Sequence, residues 1–565
     1  MSTLVKPMTH EYRAFRGVDF SSRPDEVLLY RSPDALNMWK NYKNSNGGSV
    51  ETRPDLEIVK EYEDTIYGIY FYEISKTKHR IVHSGTKLYD DDNVIYSSMA
   101  EHKSVFFVFN NVLYIKDSSK YLQYDGTTIS EVSGYIPTTT ISKAPEGGGV
   151  IHEDVNLLTD IRKNSFVADG TATDYYLDTK NIDSNYIPKV WIDDIEKTYN
   201  TDYVFNAEDG KITFTVAPTE PLTDGQDNVV IQFRKTTENR KKIEKCTMAT
   251  IFDTRVFFSG NPDKPNMLWH CSLNDPSYCS DYDYYTEGVD DASIKSIVAG
   301  NNALWVLKEP NNNNTTIFYH NPVNDENYGK IYAPTHSSIS TGCIGAGINF
   351  NDDICFFSDR GMESITGDVT TEQVISHRSS LIDSKLLNAD GYKDMMLEEW
   401  EGYLLVIIKN KVFLADSRAV STVGNEPQYE WFYWEFENEI TSTRVKDGVL
   451  YLCSSNKVYT LTNKDTKINS YWCTLADEFN APQYQKTTNK RGCVADVEGS
   501  VINVYARTDN NKFEKINTYK NVKGYIVPRI KKKKWKSIQI KFESNKPFNL
   551  YSCTLECYVG SYVKR

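Results

Sequence analysis

The side chains able to do chemistry are present but do not converge along the chain. Nine histidines are spread over 565 residues, and the closest pair is His79 and His83. That spacing would suit two metal ligands on one helix face. HRIVHSG has strand–turn character instead, and on a strand the two rings share a sheet face about 13 Å apart, too far for one ion. The acidic runs Asp90–Asp92 and DYDYYTEGVDD from Asp281 offer carboxylates to Ca²⁺, but without EF-hand spacing they read as solvated loops. The aromatic run WFYWEF (Trp431 to Phe436) could stack on a sugar, yet a strand facing two layers explains it more simply. GCIGAGINF (Gly342 to Phe350) is flanked by strand patterns on both sides, whereas a phosphate cradle needs a helix after the glycines. GxSxG, GxxxxGK[ST] and HExxH are all missing. No catalytic, cofactor-binding or metal-ligating residue follows, so the chain is expected not to be an enzyme and to need no cofactor.

What must hold these residues is β-structure of a repeating kind. A turn residue, an apolar strand, a polar turn and an aromatic-bearing strand recur seven times. The instances are HRIVHSGTKLY from His79, NNVLYIKDSSKYLQYDG from Asn110 and DTRVFFSGNPDKPNMLW from Asp253, then NNALWVLKEPNNNNTTIFYH from Asn301 and DDICFFSDRGMESI from Asp352. EGYLLVIIKNKVFLAD from Glu401 and DGVLYLCSSNKVYTL from Asp447 complete the series. The last four begin 51, 49 and 46 residues apart, a period that predicts a β-propeller of about six to seven blades. A propeller by itself implies no chemistry.

Departures from the period mark the domains. Residues 1–60 mix charge with Pro24, Pro33 and Pro54 and read as an extended N-terminal arm, with one short helix expected in SPDALNMWKNYK. The propeller occupies 61–145 and 241–465. Between them, 146–240 begins with the Gly-rich hinge PEGGGV and continues with the period-2 strands KITFTV and NVVIQF, predicting an inserted β-sandwich module. Residues 466–565 read as a C-terminal β-sandwich domain. The best helix candidate is ISHRSSLIDSKLLNADGYKDM. Lys531–Lys534 reads as a solubilising edge strand, with contact to nucleic acid or to a neighbouring subunit's acidic face as the sharper alternative.

Composition narrows the class. A net charge of −13 argues against a duplex-DNA clamp that works through a basic surface, though not against a channel that DNA passes through. Ten cysteines without a CxxC pair read as small buried hydrophobes. The start MSTLVKPMTHEYRAFRGVDF lacks a signal peptide's apolar run, and nowhere do eighteen apolar residues follow one another, so synthesis in a cytoplasm and no membrane-spanning segment are expected.

Several segments resemble virion proteins of tailed bacteriophages. FRGVDFSSRPDEVLLYRSPDALNMWKNYKN…ETRPDLEIV (Phe15 to Val59) looks like the start of tail or portal-vertex proteins, and RVFFSGNPDKPNMLWHCSLNDPSYCSDYDYY (Arg255 to Tyr285) resembles their propeller stretch, as does the turn in FFSDRGMESI. FVADGTATDYYLD and the strands after it resemble a small β-module of phage fibres and tail appendages. The resemblance implies a nozzle or packaged-DNA stabilisation protein of short-tailed phages. Such a protein is a structural ring, usually sixfold, in the virion tail below the portal and adaptor, through which double-stranded DNA passes. It would contact itself as a cyclic homo-oligomer and other tail proteins or fibres. A second expectation from another class is a host-attachment propeller that binds or cleaves cell-surface carbohydrate.

Overall fold

The computed structural model describes residues 7–562 apart from 45–47, 75, 290–291, 327–328, 367–373, 424–425 and 465–466. Among the described residues the chain is all-β. Helix is confined to Arg240–Glu244, Asp383–Leu386 and the 3-10 turn Tyr392–Asp394. No helix is long and apolar enough to cross a membrane among these residues.

Each of the seven hairpins forms the inner strand pair of a four-stranded antiparallel meander, the unit a propeller repeats. The inner pairs are Thr77–Ser84 with Lys87–Asp90, Val112–Lys116 with Tyr121–Tyr124, Arg255–Ser259 with Met267–His270, and Ala303–Lys308 with Ile317–His320. Asp353–Ser358 with Gly361–Thr366, Tyr403–Ile408 with Lys411–Val423, and Val449–Ser454 with Lys457–Thr462 complete the set. The turn residues that marked the repeat in sequence have a specific job. Asn110–Asn111, Asp253–Thr254, Asn301–Asn302, Asn351–Asp352, Glu401–Gly402 and Asp447–Gly448 all have φ between 45° and 78°. Two successive left-handed residues make the tight turn whose twist matches the strands it joins, and Asn, Asp and Gly enter that region at least cost.

The chain divides into two compact units: Met1–Ile69 with Gly300–Asn302 and Ser337–Arg565, and Tyr70–Ala299 with Ala303–His336. In the second unit, successive meanders pack face to face. Tyr72, Ile81 and Leu88 meet Leu113, Ile115 and Leu122; Phe257 and Leu268 meet Leu304, Val306 and Tyr332. Between these layers, Phe107 and Tyr121 meet Phe258, with ring centroids 6.3 and 5.6 Å apart. The second and third meanders are therefore packing neighbours although the insert separates them in sequence.

The insert has its own core. A six-stranded sheet and a three-stranded sheet enclose Phe166, Tyr175, Val190, Ile212, Val229 and Phe233. Its first strand, Thr138–Lys143, lies ahead of the expected boundary at 146. The glycines of PEGGGV are not a hinge between domains: Gly147, Gly148 and Gly149 all have positive φ and turn that first strand back onto Val150–Ile151.

In the first unit the arm expected over 1–60 is incorporated into sheets. Asp55–Glu61 is the fourth strand of the seventh meander, paired with Lys457–Thr462 from Lys457↔Glu61 to Thr462↔Asp55. SPDALNMWKNYK forms no helix. It runs through Ala35–Leu36 and Met38–Trp39, with Asn37 left-handed at φ 55° between them. Burying Met38 and Trp39 against the sixth meander outweighs the local capping signal. That meander continues through Met38–Trp39, Val50–Thr52, Phe548–Tyr562, Tyr484–Thr508, Ile538–Ser544 and Ser470–Cys473 to Ala35–Leu36 as one 14-stranded sheet. The described strands between Ser470 and Tyr562 thus share a sheet with the N-terminal strands. The long helix candidate near Leu381 reduces to one turn at Asp383–Leu386, and left-handed Gly391 starts the short Tyr392–Asp394 turn. All ten cysteines are buried and free, as expected of small buried hydrophobes.

Candidate functional site

A charged cavity in the first unit begins with a close backbone crossing. Gly17 has φ 140°, and a Cβ there would lie 2.2 Å from the Trp431 carbonyl oxygen, so only glycine lets the chain pass. Gly17–Val18 then pairs in parallel with Arg31–Ser32, which sets Arg16 and Arg31 against Glu430. Glu430 and Asp416 face each other across neighbouring strands, both buried. Two carboxylates in that register repel unless each is neutralised. Arg31 neutralises Glu430 bidentately, with Nε 3.0 Å from Oε2 and Nη2 2.8 Å from Oε1. Asp416 accepts from the Tyr42 hydroxyl at 2.5 Å and from Arg418 Nε at 3.0 Å.

Past Asp416 the ladder slips, so residues 417–419 bulge outward. The bulge carries Arg418 over the Tyr42 and Tyr403 rings, at 3.6 and 4.7 Å. Lys40 lies 5.0 Å from the Tyr42 ring centroid. Burial pushes its ammonium pKa down, against the pull of Asp416. Burial also pushes the Tyr42 hydroxyl up, helped by its bond to Asp416. The result is a cavity of about 430 Å³ lined by Ala14, Arg16, Lys40, Tyr42, Asp416 and Arg418, with Ala419 and Val420 at its side. Four cations answer two carboxylates here, within a chain of net charge −13. Both carboxylates are committed to Arg31, Arg418 and Tyr42. What the cavity offers is attraction for a compact oxyanion rather than proton transfer.

The residues singled out in sequence go elsewhere. His79 Nδ1 lies 2.7 Å from Asp90 Oδ2, which also accepts from the Tyr124 hydroxyl at 2.6 Å, so Asp90 sits in a local network. His83 turns to Ser104 Oγ at 2.7 Å and the Gly85 carbonyl at 2.9 Å, and burial lowers its pKa. The two histidines share no ligand position. Asp290 and Asp291 of the second acidic run lie outside the described residues, and burial raises the pKa of Asp281 at its start. Trp431, Phe432, Tyr433, Trp434 and Phe436 are all buried, with Trp434 packed beside Trp39 and Trp400. Gly347 opens the strand Gly347–Phe350, and no helix follows the glycine-rich turn. Lys533 and Lys534 are strand residues beside Trp535, paired to Tyr484–Thr508.

Sequence reasoning did not find the cation-lined cavity, because its members come from positions 16, 31, 40, 42, 416 and 418 and meet only through the large sheet. It also missed His377. That ring lies 2.7 Å from Asp383 Oδ2 through Nε2 and 3.3 Å from Glu363 Oε1 through Nδ1. Burial alone would lower its pKa, but hydrogen bonds to Asp383 and Glu363 raise it to about 10.

No protein-family model and no curated protein matches this chain. Among solved structures it is similar to the computationally designed Ika8 protein (TM-score 0.32, 10% identity, covering 72% of this chain and 99% of that one). It is also similar to BamB from Moraxella catarrhalis (TM-score 0.33, 11% identity, 73% and 97%). A third is exo-β-1,3-galactanase from Phanerochaete chrysosporium (TM-score 0.21, 9% identity, 54% and 94%). Likenesses this faint carry no argument about fold or function.

Proposed function

We propose that this chain is a structural component of a bacteriophage tail, a nozzle-like ring protein that seals and conducts genomic DNA below the portal and adaptor and docks other tail proteins. In this reading its seven meanders are the blades of one propeller, the insert is a β-sandwich looped out between blades, and the C-terminal strands form a second β-sandwich. The observation that carries the propeller is the strand Asp55–Glu61. It completes the last meander and leads within a few residues into the first strand of the first, Ile66–Ile74. A final blade built from the first strand and the last strands of the propeller segment would lock such a ring of blades with ladder hydrogen bonds. The assignment to a tail rests on the segments that resemble virion proteins. An acidic chain suits a conduit, because like charge keeps a duplex from adhering to the wall.

Electron microscopy of the purified full-length chain tests this directly. The expected images are closed rings, sixfold by the resemblance, with a central hole wide enough for duplex DNA. Solitary discs at every concentration would overturn the proposal. Binding to a glycan array, or release of sugar from a host polysaccharide, would favour the host-attachment propeller instead, which requires exposed aromatic platforms other than the buried run at 431–436.

A further inference from the structure

The charge of this chain is segregated. Between Lys512 and Lys536 ten residues are Lys or Arg and one, Glu514, is acidic, a local net charge of +9 in a chain of −13. The rest of the chain therefore carries −22. The basic stretch covers the strand Glu514–Ile526 and the segment after it, and that strand pairs only with Tyr484–Thr508 among the described strands. Lys523, Lys532 and Lys536 bridge to Glu498, Glu514 and Glu478. Lys512, Lys515, Lys520, Arg529, Lys531, Lys533 and Lys534 have no carboxylate within 4.0 Å among the described residues. Two apolar side chains stand out among these cations, Tyr525 at 77% exposure and Val527 at 41%. Lysine alone would be the ordinary protection of an edge strand. The exposed tyrosine and valine are more than edge protection requires.

The inserted module has the opposite character. Residues 138–235 contain 17 acidic and 9 basic residues. Left-handed Asp193 and Asp194 turn the strand Lys189–Ile192 into Ile195–Glu196, and they hold Ile195 out at 62% exposure. Beside this tip runs a groove of about 320 Å³, with Ile195, Phe214 and Val216 as apolar wall and Asp193 and Asp202 on its rim; Lys197 is the one cation lining it. Val216 is 77% exposed. Asp193, Asp194 and Glu196 have no cation within 4.0 Å among the described residues.

We infer that the Lys512–Lys536 strip of one copy docks into the groove beside Asp193–Glu196 on the next copy, placing Tyr525 against Ile195 and Val216 within a collar of paired charges. The two surfaces are different, so the contact is head-to-tail and propagates until it closes. A second copy fits better than nucleic acid on two counts. The groove matches the exposed apolar side chains as well as the charge, and the −22 on the rest of the chain repels a polyanion. This inference rests on the ring reading and gives it an interface.

The test uses the full-length chain in sedimentation velocity at about 0.1 M and about 1 M salt, where the screening length falls from about 10 to about 3 Å. The parent is expected to assemble at low salt and to dissociate progressively at high salt. Lys520→Glu/Arg529→Glu and Asp194→Lys/Glu196→Lys should each weaken assembly about tenfold or more. An equimolar mixture of the two variants should reassemble, since each then meets a complementary partner; that rescue also shows both are folded. Variants that assemble like the parent would overturn the inference and leave the ring reading standing. So would a strip variant that keeps assembly but loses binding to a fluorescent duplex oligonucleotide, which would make the strip a phosphate-contacting surface. A parent that stays monomeric throughout refutes the ring itself, and the interface with it.

Discussion

At Glu430 a buried carboxylate is held by a buried guanidinium, an arrangement whose worth depends on both members remaining. Removing one leaves the other charged and unsolvated. Glu430→Gln should therefore destabilise the protein by about 3–5 kcal/mol in urea unfolding. Replacing Arg31 and Glu430 together by apolar residues of similar volume should cost far less. His377 gives a pH signature of the opposite sign from most carboxylates. Its pKa is raised from 6.5 to about 10. The folded state thus holds a proton that the unfolded state releases earlier, and this increment of stability is complete below about pH 6.5 and is lost as the pH climbs towards about 10. Thermal unfolding across that range should show the loss, and His377→Gln should flatten it. Neither centre was legible in the sequence. Arg31 and Glu430 are 399 positions apart and meet only through the fold, and Glu363, His377 and Asp383 carry no motif: a hairpin register sets Glu363 beside His377, and the short helix after it returns Asp383 to the ring.

The seven hairpins, by contrast, were legible because their cause is local. Asn–Asn, Asn–Asp and Asp–Gly at the tight turns specify left-handed backbone without reference to the rest of the chain. The exception is useful. Thr254 is β-branched yet sits at φ 59° in the turn before Arg255–Ser259. Thr254→Gly should relieve strain and raise stability by roughly 0.5–1 kcal/mol, visible as a higher denaturation midpoint with an unchanged m-value. What the local pattern did not reveal is the partner of each outer strand. DLEIVKE at Asp55–Glu61 alternates no better than many surface segments, and its role in the seventh meander is set by Lys457–Thr462 far downstream. The same holds for SPDALNMWKNYK, where a proline and good capping residues suggest a helix that tertiary burial of Trp39 overrules.

On the scale of the whole chain, the insert and the termini should respond to truncation in opposite ways. Residues 138–235 enclose a core of their own, and the meanders flanking them pack on each other through Phe107, Tyr121 and Phe258, where only Leu157 and Leu158 of the insert join that cluster. Joining the chain across that gap with a short Gly/Ser linker should leave a cooperatively folding protein with native near-ultraviolet circular dichroism. Global unfolding of the deletant would show the module to be integral. Deleting residues 1–62 should abolish cooperative folding, because Val50–Thr52 bridges the C-terminal strands to Met38–Trp39 and Asp55–Glu61 fills the seventh meander. The domain periods were readable as spacing, but the interweaving of both ends into one 14-stranded sheet leaves no periodic trace.

That interweaving has a consequence for how the polypeptide comes off the ribosome. Val50–Thr52 emerges early, yet its partner in that sheet, Phe548–Tyr562, is translated only after roughly 500 further residues, an interval of tens of seconds at ordinary elongation rates. Through that interval the nascent strand edges have no native mate, while the meanders between them can already consolidate. Completion of the sheet is a late, post-translational event in which the first and last segments are stitched together at once. A pulse-labelled chain released from translation should acquire protease resistance in its first sixty residues only after the C-terminal strands have been synthesised.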